Sequence, residues 1–293
     1  MCFAEDREGY LYEGVHSCAS TGYIYWVDIK KRLVMRGNRG SGHTDIWSAP
    51  ECVSAVIPDP SRPERLYVSG ESKVWKLNTN TGLFVEWMEL PVLGVNDRCN
   101  DSKVDPYGNL WIGTMDNEER AKTGAHWVIT PSGKVTLMRS GIGVANTWAW
   151  DTSRQVYYWA DSAEGNIYKS SYRLKDNVPY EIETELFVEA VAEAGVPDGS
   201  ALDSCGNLWN ARWGAGRIAI FNPVGNKIDE VTLNYKYPTT CAFTSDEEKS
   251  VAITCANAAL VEGRPPTRGD DVAALILVRV NTYGAPVHGF SAD

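Results

Sequence analysis

The chain has no basic stripe. Its 28 Lys and Arg are outnumbered by 38 Asp and Glu, giving a formal net charge of −10 at pH 7. That excludes nucleic acid as a partner, because phosphate binding needs clustered positive charge. The one basic cluster, from Arg36 to His43, reads as a solvated hairpin loop. No apolar run approaches the ~20 residues that cross a bilayer. Acidic residues stand near the N-terminus, where a signal peptide carries its apolar core. The seven cysteines (Cys2, Cys18, Cys52, Cys99, Cys205, Cys241 and Cys255) are odd in number and lack Cys-x-x-Cys spacing. A cytoplasmic protein with free thiols and no membrane contact is therefore expected. Ser/Gly linkers, low-complexity runs and coiled-coil heptads are missing too. Residues 1–293 are expected to form a single domain, a size that closed all-β architectures reach undivided.

What the chain does have is a repeat. Val104 to Met115 and Leu202 to Trp213 both spell Asp-x-x-Gly-Asn-Leu-Trp, a tight turn feeding a strand that is apolar on both faces. Looser copies run from Ser20 to Asp28, Pro58 to Gly70, Trp150 to Asp161 and Thr244 to Ala256. Taking Trp26, Tyr67, Trp111, Trp159, Trp209 and Ala252 as equivalent, the differences between successive positions are 41, 44, 48, 50 and 43 residues. These steps fall at or just above the spacing of four-stranded propeller blades. A second, alternating strand follows each anchor, often through Asn-x-Gly or Ser-Gly hairpin chemistry. The fold class expected is all-β, a six-bladed β-propeller, with Phe3 to Tyr10 available as an added strand for the last blade. Most of the 11 Trp should pack between blades. The segment from Glu183 to Gly195, rich in Ala and Glu, is expected to form a short turn of helix in a long connection.

Inner strands of a propeller converge on one mouth, so polar residues at equivalent positions meet there. Asn100, Asn146 and Asp198 each lie five residues before the Asp that begins a turn, at Asp105, Asp151 and Asp203. With Glu13 from the first blade, this slot offers an all-oxygen donor set suited to a hard divalent cation. Spacing alone favours turn capping for the same residues.

The blocks RCNDSKVDPYGNLWIGTM, ANTWAWD, PDGSALDSCGNLWNARW and YPTTCAF, in order along nearly the whole chain, resemble the SMP-30/gluconolactonase family, also called the regucalcin or luciferin-regenerating-enzyme family. The resemblance implies a metal site on the propeller's central axis and hydrolysis of a sugar lactone. Carried over by position, it implies Glu13, Asn146 and Asp198 as metal ligands, with Arg98, Asn100 and Glu118 holding the substrate. The cofactor implied is one divalent cation, with Ca, Zn, Mn, Mg and Fe not distinguished. The departures are local. Tyr12, Glu13, Gly14, Val15, His16 and Ser17 stand where the family has Gly-Glu-Gly-Pro-x-Trp. Ser102 and Thr147 replace glycines beside the site, and Gly124 to Val128 replaces a Gly-x-Leu-Tyr-Arg strand, where a remodelled pocket wall is expected.

Opening a lactone needs a polarised carbonyl and an activated water, and a cation serves both needs. Asp198 is the natural general base beside it, while Arg98 and Asn100 offer donors to ring hydroxyls. His16, His43, His126 and His288 fall in no zinc-protease or nucleophile-elbow pattern, and alternation turns Cys99 into the core. The reading is an aldonolactone hydrolase. Its rivals are a non-catalytic calcium-binding regulator, a phosphotriesterase or other esterase, and a propeller that binds protein partners.

Overall fold

The computed structural model describes residues 2–292 apart from 39, 245–248, 268 and 270. Arg39 of the basic loop and residues 245–248 of the sixth turn therefore lie outside the described residues. The chain opens with β1 (Cys2–Asp6) and then lays down four antiparallel strands per blade. The first blade is β2 (Tyr12–Ser17), β3 (Tyr23–Asp28), β4 (Leu33–Asn38) and β5 (Thr44–Ser48), and the second is β6 (Val53–Pro58), β7 (Arg65–Gly70), β8 (Lys73–Asn78) and β9 (Leu83–Glu89). The third is β10 (Asp97–Val104), β11 (Leu110–Asp116), β12 (Gly124–Ile129) and β13 (Val135–Ile142). The fourth is β14 (Ala145–Asp151), β15 (Val156–Asp161), β16 (Asn166–Lys175) and β17 (Val178–Val188), and the fifth is β18 (Val196–Leu202), β19 (Leu208–Trp213), β20 (Arg217–Phe221) and β21 (Lys227–Thr232). The sixth takes β22 (Pro238–Phe243), β23 (Ser250–Cys255) and β24 (Ala273–Arg279), with the short helix α1 (Ala258–Glu262) between the last two. Its outer strand is β1, paired antiparallel to β24. The chain's first strand thus completes its last blade, and the ladder itself closes the ring.

Each first strand packs on the first strand of the next blade, and β22 packs on β2. The molecule is a six-bladed β-propeller. All six repeat anchors lie in the second strand of their blades, and all are nearly or fully buried. The chemistry of the repeated turn explains its sequence. The Asp105 carboxylate accepts from the backbone N–H groups of Tyr107 and Asn109, the Asn109 amide and the Trp111 indole, each at 2.9 Å. Asp203 does the same for Cys205, Asn207 and Trp209. Gly108 and Gly206, both at φ 84°, supply the left-handed residue that the turn needs.

Two local expectations fail. The first six residues of the expected helical turn, Glu183 to Val188, belong to the edge strand β17, and only Ala190–Ala192 forms a 3-10 turn. Pairing with β16 overrides the helix propensity of Ala and Glu. Gly124 to Val128 is no pocket wall. As β12 it is the third strand out from the axis and wholly buried, and it packs against the fourth blade, with His126 edge-on to Trp148 at 4.3 Å and to Trp159 at 5.1 Å.

The segment after β24 crosses the ring. Tyr283 O accepts from Ser204 N and Ala285 N donates to Leu202 O in the fifth blade, whereas Phe290 N donates to Pro58 O in the second. Fifth and second blades face each other across the axis, and fully buried Phe290 anchors the strap between Tyr67 and Trp87.

Neither ring nitrogen of His126 has a hydrogen-bond partner, and burial, helped by the charge of Arg139, pushes its pKa well below the ordinary value. His126→Leu is expected to stabilise the fold by about 1–3 kcal/mol at neutral pH, the cost of a buried polar group left unpaired. The folded ring refuses a proton that the unfolded chain accepts, so the parent loses stability as pH falls below about 6.5 and the gap widens. Urea melts of both proteins check this; equal stability at every pH would contradict it.

Candidate active site

The innermost strands all break register at the same height. Pairing jumps between Glu13 and His16, Val53 and Ala55, Cys99 and Asp101, Asn146 and Ala149, Pro197 and Ser200, and Pro238 and Thr240. A β-bulge releases a residue from two-fold alternation and re-aims its side chain. In or just before the six bulges stand Glu13, Ser54, Asn100, Asn146, Asp198 and Thr239, every one an oxygen-bearing side chain. Sequence reasoning found four of these slots and missed Ser54 and Thr239. The signal was present, since each of those two also lies five residues ahead of its turn residue, Asp59 or Thr244.

Three of the expected residues are joined directly. Arg98 Nη1 donates to Asn100 Oδ1 at 3.2 Å, and Asn100 Nδ2 donates to Asn146 Oδ1 at 3.1 Å. Asn146 Nδ2 in turn donates to Ser162 Oγ at 2.9 Å, which fixes the orientation of the amide. The Asn146 oxygen accepts two hydrogen bonds at most, so one acceptor site remains for a ligand. Arg98 is held further by Asn117 Oδ1 at 2.9 Å and by Cys99 O at 2.9 Å. Glu118 stands apart on the rim, more than half exposed and paired with Arg120 at 2.8 Å.

Glu13 and Asp198 come together electrostatically. Burial first, then the charges of Asp198 and Asp101, push the Glu13 carboxyl well above its usual range. Burial and Asp101 do the same to Asp198. Asp101, which sequence reasoning did not single out, has a buried oxygen without a partner. Lys103, whose ammonium donates to Trp148 O at 3.1 Å and to Ser200 O, eases the charge on Asp101 and Glu13. Gly14, at φ +60°, carries the chain away from Glu13 where a Cβ would lie 2.8 Å from Ser54 O.

Beneath this level an axial cavity of about 80 Å³ is lined by Gly14, His16, Asp101, Lys103, Trp148 and His288 among others, with the strap residues 285–288 at its far end. Burial and Lys103 push His16 down to about 3, so it is a neutral wall residue. Ser102 bonds inward to the buried Cys99 thiol at 3.3 Å.

Among the described residues no three His, Cys, Asp or Glu side chains form a metal-binding group. A cation would therefore draw on the Asn146 amide as well as the carboxylates. An oxygen-only donor set with surplus negative charge and a buried, unpartnered carboxylate oxygen fits a hard divalent cation.

A closed propeller with an oxygen-lined floor on its axis is the class of protein that these features define. The chain belongs to the SMP-30/Gluconolactonase/LRE-like family, whose region matches residues 11–257. It is 28% identical over 270 residues to the pentonolactonase XacC of Haloferax volcanii, covering 90% of this chain and 88% of that one. It is 26% identical over 231 residues to the 6-deoxy-6-sulfogluconolactonase of Pseudomonas putida, covering 79% and 78%. The calcium-binding protein regucalcin of Agrobacterium tumefaciens shares the fold, with a TM-score of 0.84 at 21% identity over 99% of this chain and 97% of that one.

Carboxylates whose folded pKa is raised bind more protons folded than unfolded, so the metal-free protein loses stability as pH rises from the unfolded carboxylate range, about 4–4.5, through the folded values. In chelator at neutral pH, Glu13→Gln should melt above the parent, and adding Ca²⁺ or Mn²⁺ should raise the parent's melting temperature more than the variant's. Equal ion-induced shifts in parent and variant would remove Glu13 from the ligand set.

Proposed function

We propose that this protein hydrolyses an aldonolactone to the open-chain aldonic acid, acting as one propeller domain in the cytoplasm. The observation that carries this reading is the hydrogen-bonded run from Arg98 through Asn100 to Asn146, which leads from a donor-rich rim to the bulge level that also holds the half-buried carboxylates of Glu13 and Asp198. The names of the pentonolactonase and sulfogluconolactonase relatives support the substrate class. Free cysteines throughout the described residues support a reducing compartment, and no helix of the described residues is long and apolar enough to cross a membrane.

In this proposal Glu13, Asn146 and Asp198 hold a divalent cation. When bound, the cation supplies positive charge that polarises the ester carbonyl and acidifies a neighbouring water. The remaining work belongs to the chain. Arg98 and Asn100 hold ring hydroxyls, with Glu118 at the rim as a further acceptor. Asp198 takes a proton from the water as its oxygen attacks the carbonyl carbon, a contribution of about 10²–10⁴ in rate. The bond from the carbonyl carbon to the ring oxygen then breaks, and the ring oxygen recovers the proton from Asp198.

Asp198→Asn is expected to fold as the parent does and to lose nearly all lactone hydrolysis, measured as acid release over a panel of sugar lactones. Activity within a few-fold of the parent would sink the base assignment. Arg98→Ala removes a charged donor worth about 1.5–3 kcal/mol, so kcat/KM should fall roughly ten- to a hundredfold while cation binding survives. Loss of ion binding with unchanged lactone kinetics would mean the two roles are exchanged.

A further inference from the structure

Seven non-glycine residues among those described have a left-handed backbone, and six of them are at least partly exposed. The seventh is Thr147, at φ 64°, fully buried and the only β-branched member. A β-branched residue persists in that region only where its surroundings over-determine it. The surroundings here are polar and lead to one place. The Thr147 hydroxyl donates to the main-chain oxygen of Asp198 and accepts from Asn210 Nδ2 at 3.1 Å. Asn210 Nδ2 also lies 2.9 Å from Asp198 O and 2.9 Å from Ser200 Oγ, so its two hydrogens are shared among three acceptors.

The Asn210 amide has its orientation imposed from behind. Arg212 Nη1 donates to Asn210 Oδ1 at 3.1 Å, and a guanidinium has no acceptor, so the amide nitrogen must face Asp198. Arg212 is itself fully buried, and its other donors grip Gly195 O at 2.8 Å and Ala194 O at 3.3 Å, just ahead of Asp198 in the chain. Asp198 needs these restraints because the ladder does not supply them: it stands with Gly199 in the bulge between Pro197 and Ser200, outside the β18–β19 register.

We propose that Thr147 is a positioning residue that, with Asn210 and Arg212 behind it, clamps the unpaired backbone of Asp198 and so aims its carboxylate at the axis. The clamp joins the fourth blade to the fifth, and it rests on the reading of Asp198 as base and ligand. Two properties separate it from a packing role. Glycine at 147 would relieve the backbone while deleting the hydroxyl, and serine would keep the hydroxyl while deleting only a methyl.

The test uses the full chain with Thr147→Gly, Thr147→Val and Thr147→Ser beside Asp198→Asn. Three readouts apply: melting temperature, Mn²⁺ affinity of chelator-treated protein by calorimetry, and kcat and KM on a sugar lactone that the parent hydrolyses. Thr147→Gly should melt at or above the parent yet lose roughly tenfold or more in kcat, the scale of a small misplacement of a reacting group, with weaker Mn²⁺ binding. Thr147→Val should lose both likewise, and Thr147→Ser should stay within about threefold of the parent in both. Parental kcat and Mn²⁺ affinity in the glycine and valine variants would overturn the clamp, as would a serine variant as impaired as valine. If Asp198→Asn keeps its turnover, the base assignment fails, and the Mn²⁺ affinities of the Thr147 series still decide whether Asp198 is held in place. If Asp198→Asn changes neither turnover nor Mn²⁺ affinity, Asp198 has no role to position and the proposal falls.

Discussion

The bulge near the start of each innermost strand is the feature on which the axial site depends. A strand in regular register sends alternate side chains to its two faces, and in a blade both faces are covered by neighbouring blades. Glu13, Asn100 or Asp198 held in that register would press a polar side chain into an apolar blade interface. The bulge lets each strand keep apolar partners above and below while one polar residue turns out of the ladder. Because all six strands bulge at one height, residues from every blade share a level that no single stretch of sequence contains.

That level is electrostatically unfavourable without a counter-charge. Burial and the charge of Asp101 raise the carboxyls of Glu13 and Asp198, Asp198 adds to the rise at Glu13, burial raises the carboxyl of Asp101, and Lys103 offsets only part of the charge. A fold that concentrates acidic groups where water is scarce gives up stability at that point, and binding anything positive there returns it. The rest of the ring is built to tolerate this. The ladder between β1 and β24 closes the circle, the Phe290 strap ties opposite blades together, and aromatics packed at a tilt, such as Trp111, Trp148 and Tyr157, fill the wedge between the third and fourth blades.

Much of this was legible in the residues. The Asp-x-x-Gly-Asn-Leu-Trp turn is a local device whose Asp must find its Asn and Trp within six positions, so its copies mark blades directly. The closing strand was visible as a spare segment at the N-terminus. What stayed hidden depends on distant partners. Glu183 to Val188 has the composition of a helix and is a strand only because β16 lies beside it. Gly124 to Val128 read as a pocket wall because nothing local shows how far a strand stands from the axis. Ser54 and Thr239 fill the slot with hydroxyls that turns use everywhere, and the Thr147 clamp exists only through Asn210 in the next blade.

An axial metal site is the central claim, and it is tested most directly by diffraction from crystals of the protein soaked in Mn²⁺, with data collected for the anomalous signal of manganese. The expected result is one strong peak on the axis, bounded by the Glu13 and Asp198 carboxylates and the Asn146 amide oxygen. A map without that peak at saturating Mn²⁺, or with the ion held by other residues, would contradict it.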